Sequence, residues 1–133
     1  MHGKKKLRLL TLAALPVIAF VGYRYILSSF PLFACRNKVL SEVTSPDGGY
    51  TAAVFEEDCG ATSQYMRFVT VRPKSARFDA NDKKRRIFGA KDQPTITVMW
   101  SGPRHLIVHY SWSERKFLEL QKLGDVAIEF RED

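Results

Sequence analysis

From Leu9 to Tyr23 the chain carries no charged side chain and no polar face, with Leu9, Leu10, Leu12, Leu15, Val17, Ile18, Phe20 and Val21 spread around every side of a helix. That helix is about 22 Å long, short of the roughly 30 Å of hydrocarbon in a bilayer. Extending it from Leu7 to Leu27 gives about 31 Å and admits Arg8 and Arg24 only near the ends, where long cations can reach the headgroups. Tyr23 and Tyr25 beside Arg24 suit an interfacial belt, and Pro16 is tolerable in a membrane helix. The alternative is a buried soluble helix.

Beyond Cys35 the pattern changes to short alternating runs. Lys38 to Val43 and Tyr50 to Glu56 read as strands around Ser45-Pro46-Asp47-Gly48-Gly49, where proline presets φ and glycine admits positive φ. Met66 to Val71 is a third strand, ending at Pro73. Lys74 to Arg86 is polar and reads as a long loop. In Thr95 to Trp100, Ile96, Val98 and Trp100 share one face, and Thr95, Thr97 and Met99 the other. After Ser101-Gly102-Pro103-Arg104, Leu106, Val108 and Tyr110 line one face of the next strand. Val126, Ile128 and Phe130 do the same in a final strand, with Glu129 and Arg131 outward.

Ser113 to Gly124 has two readings. Ser113 could cap a helix ending at Gly124. The preferred reading pairs Lys116 to Gln121 with the last strand across Lys122-Leu123-Gly124-Asp125. The predicted fold is mainly β: an N-terminal transmembrane helix followed by a small antiparallel meander or sandwich. The divisions are a basic tail over 1–6, an anchor over 7–27, a linker over 28–34 and a β-rich domain over 35–133. Ser45-Pro46-Asp47-Gly48-Gly49-Tyr50 is echoed by Trp100-Ser101-Gly102-Pro103-Arg104-His105. The phrase is similar to blade openings of Tol-type propellers, but two blades cannot close a ring, so the echo is read as shared turn chemistry.

Charge decides orientation and removes one class of function. Of 21 basic residues, Lys4, Lys5, Lys6, Arg8 and Arg24 precede Cys35 and no acidic residue does, leaving 16 basic against 14 acidic from Cys35 onward. The overall +7 therefore belongs mostly to the anchor, and nucleic acid is not an expected partner. The cationic flank keeps the N-terminus cytoplasmic and exports the domain. Leu32-Phe33-Ala34-Cys35 loosely resembles a lipobox, so lipidation of Cys35 and ordinary signal cleavage are rivals to an uncleaved anchor.

Cys35 and Cys59 are the only cysteines, twelve residues before and twelve after Asp47. A hairpin folded about Asp47 sets them opposite each other, give or take a bulge. In an oxidising compartment they would form a disulfide contributing roughly 3 kcal/mol. Free buried thiols, or a lipidated Cys35 with Cys59 unpartnered, are the other readings.

Candidate chemistry is thin. His105 and His109 share a strand face about 13 Å apart, too far for both to ligate one metal ion. Glu56 and Glu57 point to opposite faces, against a catalytic carboxylate pair, so Glu56, Glu57 and Asp58 read as a solvated strand end. Asp58-Cys59-Gly60-Ala61-Thr62-Ser63 would be a nucleophile loop only with a free Cys59 thiolate. Lys83-Lys84-Arg85-Arg86 could touch anionic headgroups, although a solvated loop is favoured. Tyr65, Trp100, Tyr110 and Trp112 form a candidate aromatic binding surface. No cofactor or metal is expected.

Cys35-Arg36-Asn37, Ser45-Pro46-Asp47-Gly48, Ala53-Val54-Phe55-Glu56 and Asp58-Cys59-Gly60-Ala61-Thr62 together resemble an uncharacterised family of small exported or membrane-anchored bacterial proteins. The resemblance covers roughly residues 35 to 62 and weakens through Gln64 to Met66. It implies a bacterial envelope protein with paired cysteines and no assigned activity, and it supplies no catalytic residue; the anchor and its orientation then place the chain in the bacterial inner membrane with a periplasmic or extracellular domain. The leading expectation is a non-enzymatic module with the membrane and possibly an envelope protein as partners. A module for a small glycan or lipid headgroup is the alternative, and a hydrolase or thiol enzyme comes third.

Overall fold

In the computed structural model the backbone is described for residues 2–29, 35–60 and 63–133, with side chains of the helix described over 14–27. Two units emerge, Met1–Ala34 and Cys35–Asp133. The first holds one helix, α1 (His2–Ser29), with Pro16 inside it. Leu15, Val17, Ile18, Phe20 and Val21 are each more than half exposed. Leu9, Leu10 and Leu12 lie outside the described side chains, and Leu32, Phe33 and Ala34 outside the described residues. Among the described residues no helix is long and apolar enough to cross a membrane.

The second unit starts from the turn that the sequence marks most clearly. The Ser45 carbonyl accepts a 2.8 Å bond from the Gly48 N–H, and Gly48 has φ +71°, a conformation that costs glycine little. This turn joins β1 (Arg36–Thr44) to β2 (Tyr50–Asp58). Near it, Thr44 faces Thr51 and Ser41 faces Val54; beyond Leu40 the register shifts, so that Val39 faces Phe55 and Arg36 faces Asp58. The extra residue at Leu40 is a β-bulge. Without that shift Cys35 would continue toward Gly60; with it, Cys35 comes opposite Cys59, and the two are joined as a disulfide. The bridge occupies the thiol that lipidation would need.

β3 (Met66–Pro73) and β4 (Arg86–Ala90) continue the sheet, and β7 (Lys116–Glu119) closes it, in the order β1-β2-β3-β4-β7. A second sheet has the order β5-β6-β9-β8, from β5 (Ile96–Gly102), β6 (His105–Tyr110), β8 (Lys122–Leu123) and β9 (Val126–Glu132). The two sheets form a sandwich around one apolar cluster. Ala52, Val54, Val69, Val71 and Phe88 come from the first sheet, and Val98, Leu106, Val108, Val126 and Ile128 from the second. The alternating faces expected of Ile96/Val98, Leu106/Val108/Tyr110 and Val126/Ile128 are the ones buried.

Three expectations need correction. β9 runs parallel to β6, so the sandwich is mainly but not wholly antiparallel. Lys116–Glu119 pairs with β4, not with the final strand. The turn at Gly124 does form, with φ +61°, but it joins β9 to the two residues of β8. The chain thus changes sheet between Glu119 and Lys122. Ser113 caps no helix; its hydroxyl donates to Asp92.

The third correction is β4, fully buried within the first sheet. Gly89 allows close packing there, because a Cβ would stand 2.7 Å from the Phe117 ring and 3.1 Å from Phe68. The preceding segment is a loop as expected, with a 3-10 turn over Lys83–Arg85, but its Phe78 and Ala80 fold back onto the outer face of the first sheet. Ala80 and Phe78 pack on Phe55 and Phe68, and Phe78 stands edge-on to Phe55 at 5.2 Å. β2 is therefore buried on both faces over Thr51 to Phe55, whereas all nine residues of the edge strand β1 are exposed.

Candidate functional site

Strand alternation puts Phe55 and Glu57 on the outer face of β2, opposite Phe68 and Met66 of β3. Arg86, the first residue of β4, reaches across β3 to meet them. Its guanidinium lies 3.9 Å from the centre of the Phe68 ring. It donates 3.0 Å to Glu57 Oε2 and 2.6 Å to the Ala80 carbonyl. Arg86 is 8% exposed and Glu57 9%, so this is a buried ion pair stacked on an aromatic face. The Arg86 Nε is buried without a hydrogen-bond partner. Neither Glu57 nor Arg86 is the solvated residue that the charge pattern suggests. Glu56, on the opposite face, pairs instead with Arg67 at 3.3 Å.

The disulfide adjoins this pair. The Cys35 and Cys59 sulfurs and a Glu57 oxygen lie within 4.8 Å of one another. As a disulfide the sulfurs are neither thiolate nucleophiles nor metal ligands, which removes the premise of the Cys59 nucleophile loop. Ala61 and Thr62 of that loop lie outside the described residues.

Beside the pair a groove of about 530 Å³ opens on the outer face of the sheet. Met66, Phe68, Phe117 and Leu118 give it apolar walls, while Lys83, Lys91 and Arg86 supply positive charge and Glu57 the one carboxylate. Lys83 and Lys91 are exposed. The basic run is thus divided: Arg86 is structural, Arg85 pairs with Asp82 at 2.9 Å, and Lys83 faces the groove.

The opposite end of the first hairpin carries a second arginine centre. Arg104 donates 2.7 Å to Asp47 and 2.8 Å to Asp125, and the Tyr50 hydroxyl donates 2.7 Å to Asp125. The two echoed turns therefore touch, through the only charged residue of each. Hydrogen bonds from the Ser45 hydroxyl, the Gly49 N–H and Arg104 hold the Asp47 carboxyl down at about 2. Asp125 is lowered by the Tyr50 hydroxyl and then Arg104. Arg104, Asp47 and Asp125 are solvent-facing, whereas Ser45 is buried, and the centre reads as a clasp between the two sheets.

The four aromatic residues of the expected binding surface do not form one patch. Tyr110 is buried at 4% exposure. Trp100 packs on the sandwich core and its indole N–H donates 2.9 Å to the Val43 carbonyl. Trp112 is exposed, and Tyr65 lines a separate depression of about 270 Å³ with Gln64 and Arg115. His105 and His109 sit on β6 beside Glu129 and Asp133, at 3.5 and 3.3 Å. Sequence reasoning missed Lys91 and Phe117 as groove residues. Glu57 had one available signal, its i, i+2 relation to Phe55 in a strand with no polar face.

A family model described as "Family of unknown function (DUF5412)" matches residues 4–114, and the chain belongs to that family. The match takes in the N-terminal apolar run and the strands through β6. No curated protein matches the chain, and no solved structure does.

Proposed function

We propose that this member of a family of unknown function is a membrane-anchored module, held outside the cytoplasm of a bacterium, that binds an envelope protein and performs no catalysis itself. One observation carries the reading: β1 is a nine-residue edge strand, exposed throughout, with Val39, Leu40 and Val43 each more than a third exposed. Edge strands present unpaired N–H and C=O groups, and proteins normally shield them. Adding a partner strand would satisfy those groups and cover the apolar side chains. Trp100 occupies the Val43 carbonyl, which leaves the stretch from Arg36 to Ser41 for the partner. The bulge at Leu40 limits which strands fit and so favours a specific one.

Support for the anchor comes from the uncharged run Leu9 to Tyr23, the four cations on its N-terminal flank and the exposed apolar residues Leu15 to Val21. A helix apolar on all sides needs an apolar surrounding. The test uses the full chain in its own membrane, with a photo-crosslinking residue at Lys38 and, as control, at Lys122 on β8. A single protein adduct from Lys38 that Lys122 does not give is expected. Identical adducts from both, or only lipid and self adducts, would overturn the reading. The alternative, a module for a small envelope ligand, now rests on the groove beside Arg86, because the aromatic surface first considered for it is divided between core and solvent.

A further inference from the structure

We infer that the groove on the outer face of the first sheet binds an amphiphilic anion: a single acyl chain bearing a phosphate or carboxylate head. This site adjoins the β1 edge at Cys35 but opens on the face of the sheet, and it does not depend on partner binding at that edge.

The argument begins with charge. Glu57, the groove's one carboxylate, is taken by Arg86. Among the described residues no carboxylate pairs with Lys83 or Lys91, and both line the same opening. The Arg86 charge is balanced by Glu57, although its buried Nε–H is left without a hydrogen-bond partner. An entering anion therefore meets the field of two available ammonium groups beside a neutral Arg86–Glu57 pair. A second acidic residue would cancel this field, and none lines the groove.

The walls specify the rest of the ligand. Phe117 is a large apolar side chain left 51% exposed. It stands edge-on to Phe68 at 5.7 Å over the gap kept open by Gly89. Met66 and Leu118 extend this surface. A bare phosphate would leave it wet, and a neutral chain would leave the lysines unused. A head on Lys83 and Lys91 with a chain over Phe68 and Phe117 uses both. The volume lies within the ordinary range for small-molecule sites.

The sequence supplies a reporter. Its three methionines include Met66 in the groove and Met99 on β5, 52% exposed in the other sheet. The full chain, labelled with methyl-¹³C methionine and held in nanodiscs of zwitterionic lipid, is titrated with octyl phosphate, octanol or inorganic phosphate. Octyl phosphate is expected to shift Met66 saturably and leave Met99 in place. Octanol and inorganic phosphate should each require at least tenfold higher concentration for the same Met66 shift. Lys83→Glu with Lys91→Glu should weaken octyl phosphate at least tenfold. Because both lysines are exposed, the double variant keeps the fold, and its unchanged Met99 signal verifies this. Equal effects of octyl phosphate and octanol would mean a merely apolar groove and overturn the inference. Equal effects of octyl phosphate and inorganic phosphate would overturn it as a simple anion site, and parallel shifts of Met66 and Met99 as non-specific partition.

Discussion

The first hairpin is held at each end by an arginine paired with carboxylate, and the two ends differ in almost everything else. At the turn, the Arg104 side chain is 42% exposed, bonded to Asp47 and Asp125 from two different sheets. At the far end, the Arg86 side chain is 9% exposed, bonded to Glu57 within one sheet, pressed on Phe68 and next to the disulfide. Water screens the first and is excluded from the second. An exposed pair contributes little and tolerates loss. A buried pair gives little net stability over an apolar replacement, yet is costly to break by removing one partner. The turn end should therefore set geometry, and the buried end should set the penalty for error.

The sharpest way to break this contrast is Arg86→Ala. It leaves Glu57 buried and uncompensated, strips the cation from Phe68 and opens a gap under Ala80. A loss of about 3–5 kcal/mol is expected in denaturant unfolding. Arg86→Met combined with Glu57→Leu should recover most of that loss, because no charge is then stranded. If the double variant is as unstable as the single one, the damage lies in packing and not in desolvated charge.

Legibility follows the same division. The turn end was readable: Ser45, Pro46, Asp47 and Gly48 carry their conformation locally, and the cysteine spacing about Asp47 anticipated the bridge. The bulge at Leu40 that perfects this spacing left no local mark. The buried end was misread because charge on a strand is normally a sign of solvent. Glu57 and Arg86 became core residues only once Phe78 and Ala80 folded over them, a covering set by non-local packing. β4 was hidden for a related reason, since five residues with a glycine at the fourth give neither length nor alternation. Lys116 to Glu119 crossed to the first sheet because β4 offered an open edge there, which no pattern within 113–124 encodes. Apolar alternation, by contrast, identified the second sheet's inner face residue by residue.

Removing the disulfide should separate the two ends next. Cys35→Ser with Cys59→Ser is expected to cost about 3 kcal/mol, through the longer reach of the unfolded chain. The loss should be local first: β1 has a neighbour on one side only, and its far end has no other tie as strong. Hydrogen exchange should therefore accelerate most at Arg36 to Val39, and least near Thr44, where Trp100 and the Asp47–Arg104 bond remain. Uniform acceleration along β1 would show that the bulge does not divide the strand mechanically.

The smallest expected effect concerns the exposed clasp, and it is read from pH dependence. The Asp47 carboxyl sits at about 2 instead of 3.8, so the folded state takes up this proton less readily than the unfolded chain. Its stabilising contribution is then complete above roughly pH 4 and disappears as pH falls through about 2. Asp47→Asn keeps the side chain's shape but gives up the charge that Arg104 holds. Wild type should exceed this variant in stability at neutral pH, and the gap should close between pH 4 and 2. Because the group is exposed, salt should narrow the gap as well, whereas the penalty of Arg86→Ala should hardly respond. A gap that persists unchanged at pH 2 would show that it does not arise from the carboxylate charge that the Ser45 hydroxyl, the Gly49 N–H and Arg104 together stabilise in the folded chain.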